Sequence, residues 1–307
     1  MKLLVTGGAG FIGSNLVESL VEDGEEVVVL DSLHTGSLEN LSGVRNRVRV
    51  VVSRCSEVLG LEGLEHLDGV YHLGIPSSSP MYKENRLLVG DSVNEFIKIL
   101  ELVRREDCKL VFASSSSIYN GNPTPWREDM PIYVKDFYTE ARYTMERLAS
   151  LYHDFYGIKA VGLRFFSVYG PKEEYKGRYA NLVSQFLWCM LRGEKPIIFG
   201  DGNQTRDFIY VDDVVKACKL AMKSGVEQGV FNVGTGKSYS LNQLVKILKE
   251  MLKVDLEPEY VENPIKNYVY HTLADVSKAK QMLGFQARYS LEEGIKKILS
   301  LNKKGGR

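Results

Sequence analysis

The residues that most constrain this chain lie almost at its start. Gly7-Gly8-Ala9-Gly10-Phe11-Ile12-Gly13 follows a short apolar run, Lys2–Thr6, and Val17, Leu20 and Val21 then recur at helical spacing. Strand, glycine-rich turn and helix in that order make the phosphate-binding turn of a dinucleotide site. The glycines let the backbone turn sharply and admit a pyrophosphate at close range. Unpaired amides at the helix N-terminus then offer it donors and a positive dipole end.

Asp31 completes the pattern. It ends a second apolar run, residues 27–30, and stands 18 residues beyond Gly13. A carboxylate there accepts both hydroxyls of an adenosine ribose but repels a 2′-phosphate. The expected cofactor is therefore NAD rather than NADP.

The 307 residues suffice for one large α/β domain or a nucleotide domain with a smaller lobe, and 44% are apolar, enough for a sizeable core. Acidic and basic residues balance at 39 each, so no broad attraction to nucleic acid or an anionic membrane is implied. No apolar run reaches the length of a membrane span, and the N-terminus enters a strand at once, which leaves no room for a signal peptide. Cys55, Cys108, Cys189 and Cys218 match no metal or redox spacing, and no metal is expected. Free thiols in a reducing cytoplasm are the plain interpretation.

Strand-like runs at 48–52, 69–73, 109–113 and 159–163 alternate with helical stretches near 86–105 and 139–157. That alternation predicts an α/β fold, a Rossmann-type doubly wound parallel sheet whose ligands bind beyond the carboxyl ends of the strands. After Tyr169-Gly170-Pro171 the pattern changes to separate helices near 179–192, 212–223, 241–252 and 291–301. The expected division is a nucleotide domain over 1–170 and a smaller, mostly helical substrate lobe over 171–307, with some segments returning to the sheet. The tail at 303–307 reads as loose.

The run 109–113 ends in Ser114-Ser115-Ser116-Ser117-Ile118-Tyr119, a hydroxyl cluster where a substrate would lie. Downstream, Tyr138 and Arg142 are four apart on one helix and share a face. A cation beside a phenol favours the ionised form. A hydroxyl donor with an activated tyrosine can move a proton off a sugar or alcohol hydroxyl while a hydride goes to NAD.

At this point the chain resembles the extended short-chain dehydrogenase/reductase family, in its nucleotide-sugar epimerase/dehydratase branch. The matching pieces are residues 6–14, Tyr71-His72-Leu73, residues 114–119, Tyr138 with Glu146, and 163–171, which end in Tyr169-Gly170-Pro171. Further on come 200–214, with Gly200-Asp201-Gly202 and Arg206-Asp207-Phe208, then 231–234 and 272–275. The resemblance implies Tyr138 as catalytic base and Ser115 as catalytic hydroxyl. It implies a cofactor site of Gly7, Gly10, Phe11, Ile12, Gly13, Asp31, Ser32, Leu73, Tyr138 and Arg142. Ser115, Ser116, Ser167, Asn181, Arg206 and Tyr268 fall on substrate positions. Arg206 falls on the arginine that holds the sugar-nucleotide phosphates, a task its fork suits.

Several positions depart from the family. Arg142 stands where Tyr-x-x-x-Lys has lysine, so the charge is kept and the compact ammonium is lost. Tyr143 and Arg147 repeat the spacing, but Glu146 fixes the register on Tyr138. The acid usual after the third strand is missing from residues 52–56, Leu87 replaces a common Asn, and Ser167 replaces an Asn facing the diphosphate. Ile265 and Tyr268 replace an Arg and an Asp. Lys176, in the charged segment 173–181, resembles a catalytic lysine of the ADP-heptose 6-epimerases; a solvated charged loop is the plainer reading of that segment.

The function implied is NAD-dependent epimerisation at C4 of a UDP-hexose of the UDP-glucose/UDP-galactose type, through transient oxidation to a 4-keto sugar. The branch's dehydratases and decarboxylases place an acid just after the catalytic hydroxyl, where this chain has Ser116 and Ser117. An ADP-heptose-type 6-epimerase, another NDP-sugar epimerase and a non-catalytic NAD-binding sensor or scaffold stay open. A homodimer is expected through the helices near 86–105 and 138–157. Phe96, Ile97, Leu100 and Val103 stripe the first, and Leu148, Leu151, Tyr152 and Phe155 the second. Val93, Ile99 and Leu102, with Met145, Ala149 and Tyr156, widen those stripes enough to ask for a second partner.

Overall fold

The computed structural model describes residues 1–304, with side chains to Leu301; residues 305–307 of the tail lie outside the described residues. The chain opens with β1 (Lys2–Thr6), α1 (Phe11–Glu22), β2 (Glu26–Asp31), β3 (Arg49–Val52) and β4 (Gly69–His72). Short α2 (Ser79–Glu84) and long α3 (Leu88–Glu106) lead to β5 (Lys109–Ser115), α4 (Phe137–Tyr156), β6 (Lys159–Phe165) and β7 (Ser167–Tyr169). Then come α5 (Leu182–Leu191), β8 (Ile197–Phe199), β9 (Thr205–Arg206), β10 (Phe208–Tyr210), α6 (Val211–Lys223) and β11 (Gln228–Val233). β12 (Tyr239–Ser240), α7 (Leu241–Leu252), β13 (Glu259–Val261), α8 (Ser277–Leu283) and α9 (Leu291–Lys304) follow.

Seven strands form one sheet in the order β11-β6-β5-β4-β1-β2-β3, every neighbour parallel. Alternation along β1 explains why both faces are covered. Leu3 and Val5 pack with Val17, Leu20 and Val21 of α1 and with α6, whereas Leu4 packs with Val28, Leu30, and Phe96 and Leu100 of α3. This is the Rossmann-type doubly wound sheet that the sequence predicts. The strand order reverses between β1 and β4, the point where such sheets open a cleft beyond their carboxyl ends. Both turns at that point approach closely: a Cβ on Gly7 would lie 2.6 Å from the Gly74 Cα.

Beyond residue 170, α6 packs on α1, and β11 pairs with β6 from Gln228↔Ala160 to Val233↔Phe165. The remaining segments are α5, α7, α8 and α9 with the strand pairs β8–β13 and β9–β12, and their apolar residues share one core with α1 and α6. The helix expected near 179–192 starts at Leu182. Asn181 Oδ1 accepts from the Val183 amide at 3.0 Å, and Glu174–Tyr179 winds as a separate 3₁₀ turn broken by Gly177 at φ 51°.

Ile99 and Leu102 of α3 and Met145 and Ala149 of α4 are buried within the chain, so they need no second partner. Their burial narrows the stripe left uncovered. Leu151, Phe155 and Tyr156 remain 46%, 75% and 56% exposed. Among the described residues, no helix is long and apolar enough to cross a membrane.

Candidate active site

The glycine-rich turn is shaped by backbone constraints. Gly7 takes φ 67°, and a Cβ on Gly13 would lie 2.0 Å from the Gly7 carbonyl oxygen. Gly10 precedes α1 and provides no side-chain cap, so the helix's first amides are left for a ligand. Asp31, at the end of β2, is buried; its Oδ2 accepts from the Ala9 amide at 2.9 Å and its Oδ1 from Leu33 at 2.7 Å. Burial pushes its carboxyl above the usual range, and the Leu33, Ala9 and Gly10 amides oppose that rise. Each oxygen keeps a lone pair for a further donor.

Tyr138 enters the site because α4 begins sharply. Asp136 Oδ1 accepts from the Thr139 amide at 2.7 Å, and Thr139 Oγ1 returns the contact to the Asp136 amide at 3.3 Å. Tyr138 is buried, with its ring edge-on to Tyr82 at 5.5 Å and the Arg142 guanidinium carbon 5.0 Å from its centroid. Arg142 donates Nη1 to Ala113 O at 3.0 Å and Nη2 to Pro76 O at 3.1 Å, while its buried Nε–H has no partner among the described residues. Ser115 Oγ accepts from the Ser117 amide at 3.1 Å, which caps the 3₁₀ turn Ser116–Tyr119. His72, at the end of β4, places Nδ1 2.8 Å from Thr6 Oγ1; burial and then the Arg142 charge push its pKa down to about 3.

The opposite wall is built by the segment after β7. Glu174, Tyr175, Gly177 and Arg178 are exposed, but the Lys176 side chain turns inward and is only 16% exposed. Its Nζ lies 3.2 Å from Glu173 Oε1 and 5.5 Å from the Phe11 ring centroid. Glu173 is fully buried and also accepts from the Asn181 amide at 2.8 Å and Ser184 Oγ at 2.6 Å. Arg206 Nη1 donates to Thr205 O at 2.9 Å and Tyr270 O at 3.0 Å, and its guanidinium covers the Tyr268 ring at 5.3 Å. Ser167 is held through its amide, 3.0 Å from Asp207 O.

One cavity of about 810 Å³ collects these groups. Gly7, Gly10, Phe11, Ile12, Gly13, Asp31, Ser32 and Leu73 line it, together with Ser115, Ser116, Tyr138, Arg142, Ser167, Lys176, Asn181, Arg206 and Tyr268. Every site residue singled out in the sequence is therefore in the same space. Sequence reasoning missed Ser77 and Ser78 in the loop after β4, Ser79 and Lys83 of α2, and, behind the cavity wall, the Glu173 anchor. The Ser77-Ser78-Ser79 run at the carboxyl end of a strand was the available signal. Glu173 carried only the local hint of Lys176 three residues on, because the fold is what brings the Asn181 amide and Ser184 to it. The cavity fits a dinucleotide: a Cβ on Gly10 would meet only Gly7 O, at 3.1 Å, and would fill the cradle over the turn.

The model of the NAD dependent epimerase/dehydratase family matches residues 3–234. A putative UDP-glucose 4-epimerase of Methanocaldococcus jannaschii is 38% identical over 99% of both chains. UDP-glucuronic acid decarboxylase 1 of Arabidopsis thaliana is 32% identical over 98% of this chain and 69% of that protein. The crystal structure of a Thermotoga maritima UDP-glucose 4-epimerase with UDP-glucose superposes with a TM-score of 0.93, at 36% identity and full coverage of both chains.

Proposed function

The chain belongs to the NAD-dependent epimerase/dehydratase family, and from that premise we propose that it inverts C4 of a UDP-hexose of the UDP-glucose/UDP-galactose type. The observation that carries this reading is the shared cavity, where Tyr138, Arg142 and Ser115 stand with the glycine-rich turn, Asn181 and Arg206. Gly7, Gly10, Phe11, Ile12 and Gly13 would hold the pyrophosphate of NAD, Asp31 and Ser32 its adenosine ribose, and Leu73, Tyr138 and Arg142 its nicotinamide end. NAD held there would supply a reversible acceptor for a hydride from the sugar. Tyr138 takes the C4 hydroxyl proton and gives it back after the sugar has turned over. Ser115 Oγ and Ser116 orient the sugar hydroxyls. Arg142 supplies a positive charge beside the Tyr138 ring. Arg206, Ser167 and Asn181 hold the diphosphate, and Tyr268 borders the nucleotide.

Epimerisation is favoured over elimination by what surrounds Ser115. Ser116 and Ser117 bring hydroxyls, not carboxyls. Asp136 lines the cavity, but its oxygens are engaged by the Thr139 amide and, at 2.9 Å, by Ser79 Oγ. Lys176, inside the cavity beside Phe11, supports a second reading, a 6-epimerase acting on a heptose nucleotide. Residues 1–170, with the returned α6 and β11, are assigned to NAD, and the rest of 171–307 to the sugar nucleotide. Exposed Leu151, Phe155 and Tyr156 on α4 are assigned to a homodimer contact. The free cysteines suit a reducing cytoplasm.

The test is anaerobic incubation with a panel of NDP-sugars, read by proton NMR at C4 and C6. Inversion at C4 of a UDP-hexose supports the proposal. Inversion at C6 of a heptose nucleotide selects the second reading. NAD binding without any turnover would leave a sensor or scaffold.

A further inference from the structure

Adjacent serines at the end of β5 do different work. Ser115 Oγ caps the following turn, whereas Ser114 Oγ donates to Glu146 Oε1 of α4 at 2.5 Å. Arg164 of β6, the register partner of Ser114, grips the same carboxylate as a fork, Nε to Oε1 at 2.9 Å and Nη2 to Oε2 at 2.6 Å. Its Nη1 donates to the Tyr119 hydroxyl at 2.5 Å, which donates to Asn232 Oδ1 of β11 at 2.8 Å. Asn232 Nδ2 then donates to Trp126 O at 2.8 Å and Asp275 O at 3.1 Å. The Glu146 and Arg164 side chains are only 5% and 4% exposed. Glu146 lies two turns beyond Tyr138 and one beyond Arg142, so it shares their face about 12 Å along the helix from the tyrosine.

A buried ion pair is weak evidence for stability, since well-packed apolar groups often serve as well. It supplies direction instead. A bidentate fork with short, charge-assisted hydrogen bonds tolerates little sliding, unlike the apolar contacts of Met145 and Ala149 beside it. We propose that Glu146, Ser114 and Arg164 are positioning residues that fix the axial placement of α4 on β5 and β6, and so set Tyr138 against Ser115. This rests on the reading of Tyr138 and Ser115 as the proton-transfer pair.

The test compares Ser114→Ala and Tyr119→Phe with the parent, measuring kcat and KM per NAD-loaded site together with thermal unfolding. Ser114→Ala removes one hydroxyl and leaves Ser115 in place, so folding is preserved. The expected result is a kcat about 10- to 100-fold lower, with KM within about twofold of the parent and NAD content unchanged. Tyr119→Phe shows a smaller loss in the same direction. An unchanged kcat per loaded site, whatever the melting temperature does, overturns the proposal, and so does a raised KM with kcat held. Tyr138→Phe separates the two levels. Full turnover there removes the underlying reading and this proposal with it; loss there beside an unaffected Ser114→Ala overturns this proposal alone.

Discussion

Single side chains in the cavity have separable duties. Tyr138→Phe deletes a proton-transfer group without disturbing its ring contact with Tyr82, so turnover is expected to fall about 10²–10⁴-fold with fold and bound NAD retained. Steady-state kinetics checks this, and parent-like activity would move the base elsewhere, with Tyr143 and Lys176 next. Asp31→Ala removes an acceptor from the ribose and from the Ala9 and Leu33 amides alike. NAD affinity should drop by about 1–3 kcal/mol in an equilibrium titration, and recovery of mainly NADP from the parent would contradict the role given to Asp31. His72 carries a pH dependence. Its folded pKa of about 3 lies below the ordinary 6.5, so between those values the unfolded chain binds a proton that the native chain refuses. Stability contributed by neutral His72 is then lost as pH falls, by about 1.4 kcal/mol per unit from this group alone. In urea unfolding between about pH 7 and 4, His72→Gln should gain stability relative to the parent as the solution is acidified; parallel curves would refute it.

Elements differ in how far local sequence dictates them. The first βα unit was legible because its glycines answer local steric demands, as the 2.0 Å approach of a Gly13 Cβ to Gly7 O shows. Strands β1 to β6 and helices α3 and α4 were legible from apolar periodicity. That a segment beyond 170 returns to the sheet is expected from sequence, but which one is not, because the β11 pairing with β6 joins residues more than sixty apart and leaves no local trace. Likewise the 3₁₀ turn Glu174–Tyr179 lies in a segment that reads in sequence as a charged loop, and the helix expected near 179 starts only at Leu182, after Asn181 is tied to buried Glu173. In the site, residue types at motif spacings were readable, but the split between Ser114 and Ser115 was not, since it depends on where Glu146 arrives. The apolar stripes on α3 and α4 were also read too broadly, because burial within the chain accounts for Ile99, Leu102, Met145 and Ala149. What remains exposed gives a sharper prediction: the parent should sediment as a dimer at micromolar concentration and Phe155→Arg as a monomer. A parent that stays monomeric across that range contradicts the assigned contact.

At the scale of the whole molecule, the turns of the doubly wound sheet and segments beyond residue 170 line one cavity that carries both the dinucleotide turn and the proposed sugar-nucleotide contacts. An epimerase built this way needs no exchange with the medium. On the proposed C4 reading, the proton that Tyr138 removes would go back to the same sugar, and the hydrogen leaving C4 would never pass through water. UDP-glucose carrying deuterium at C4 therefore tests the account most directly, with the product examined by NMR after turnover in ordinary water. The account predicts UDP-galactose with the deuterium retained at C4. Product that has lost the label to solvent, inversion at another carbon, or no inversion with NAD bound would contradict it.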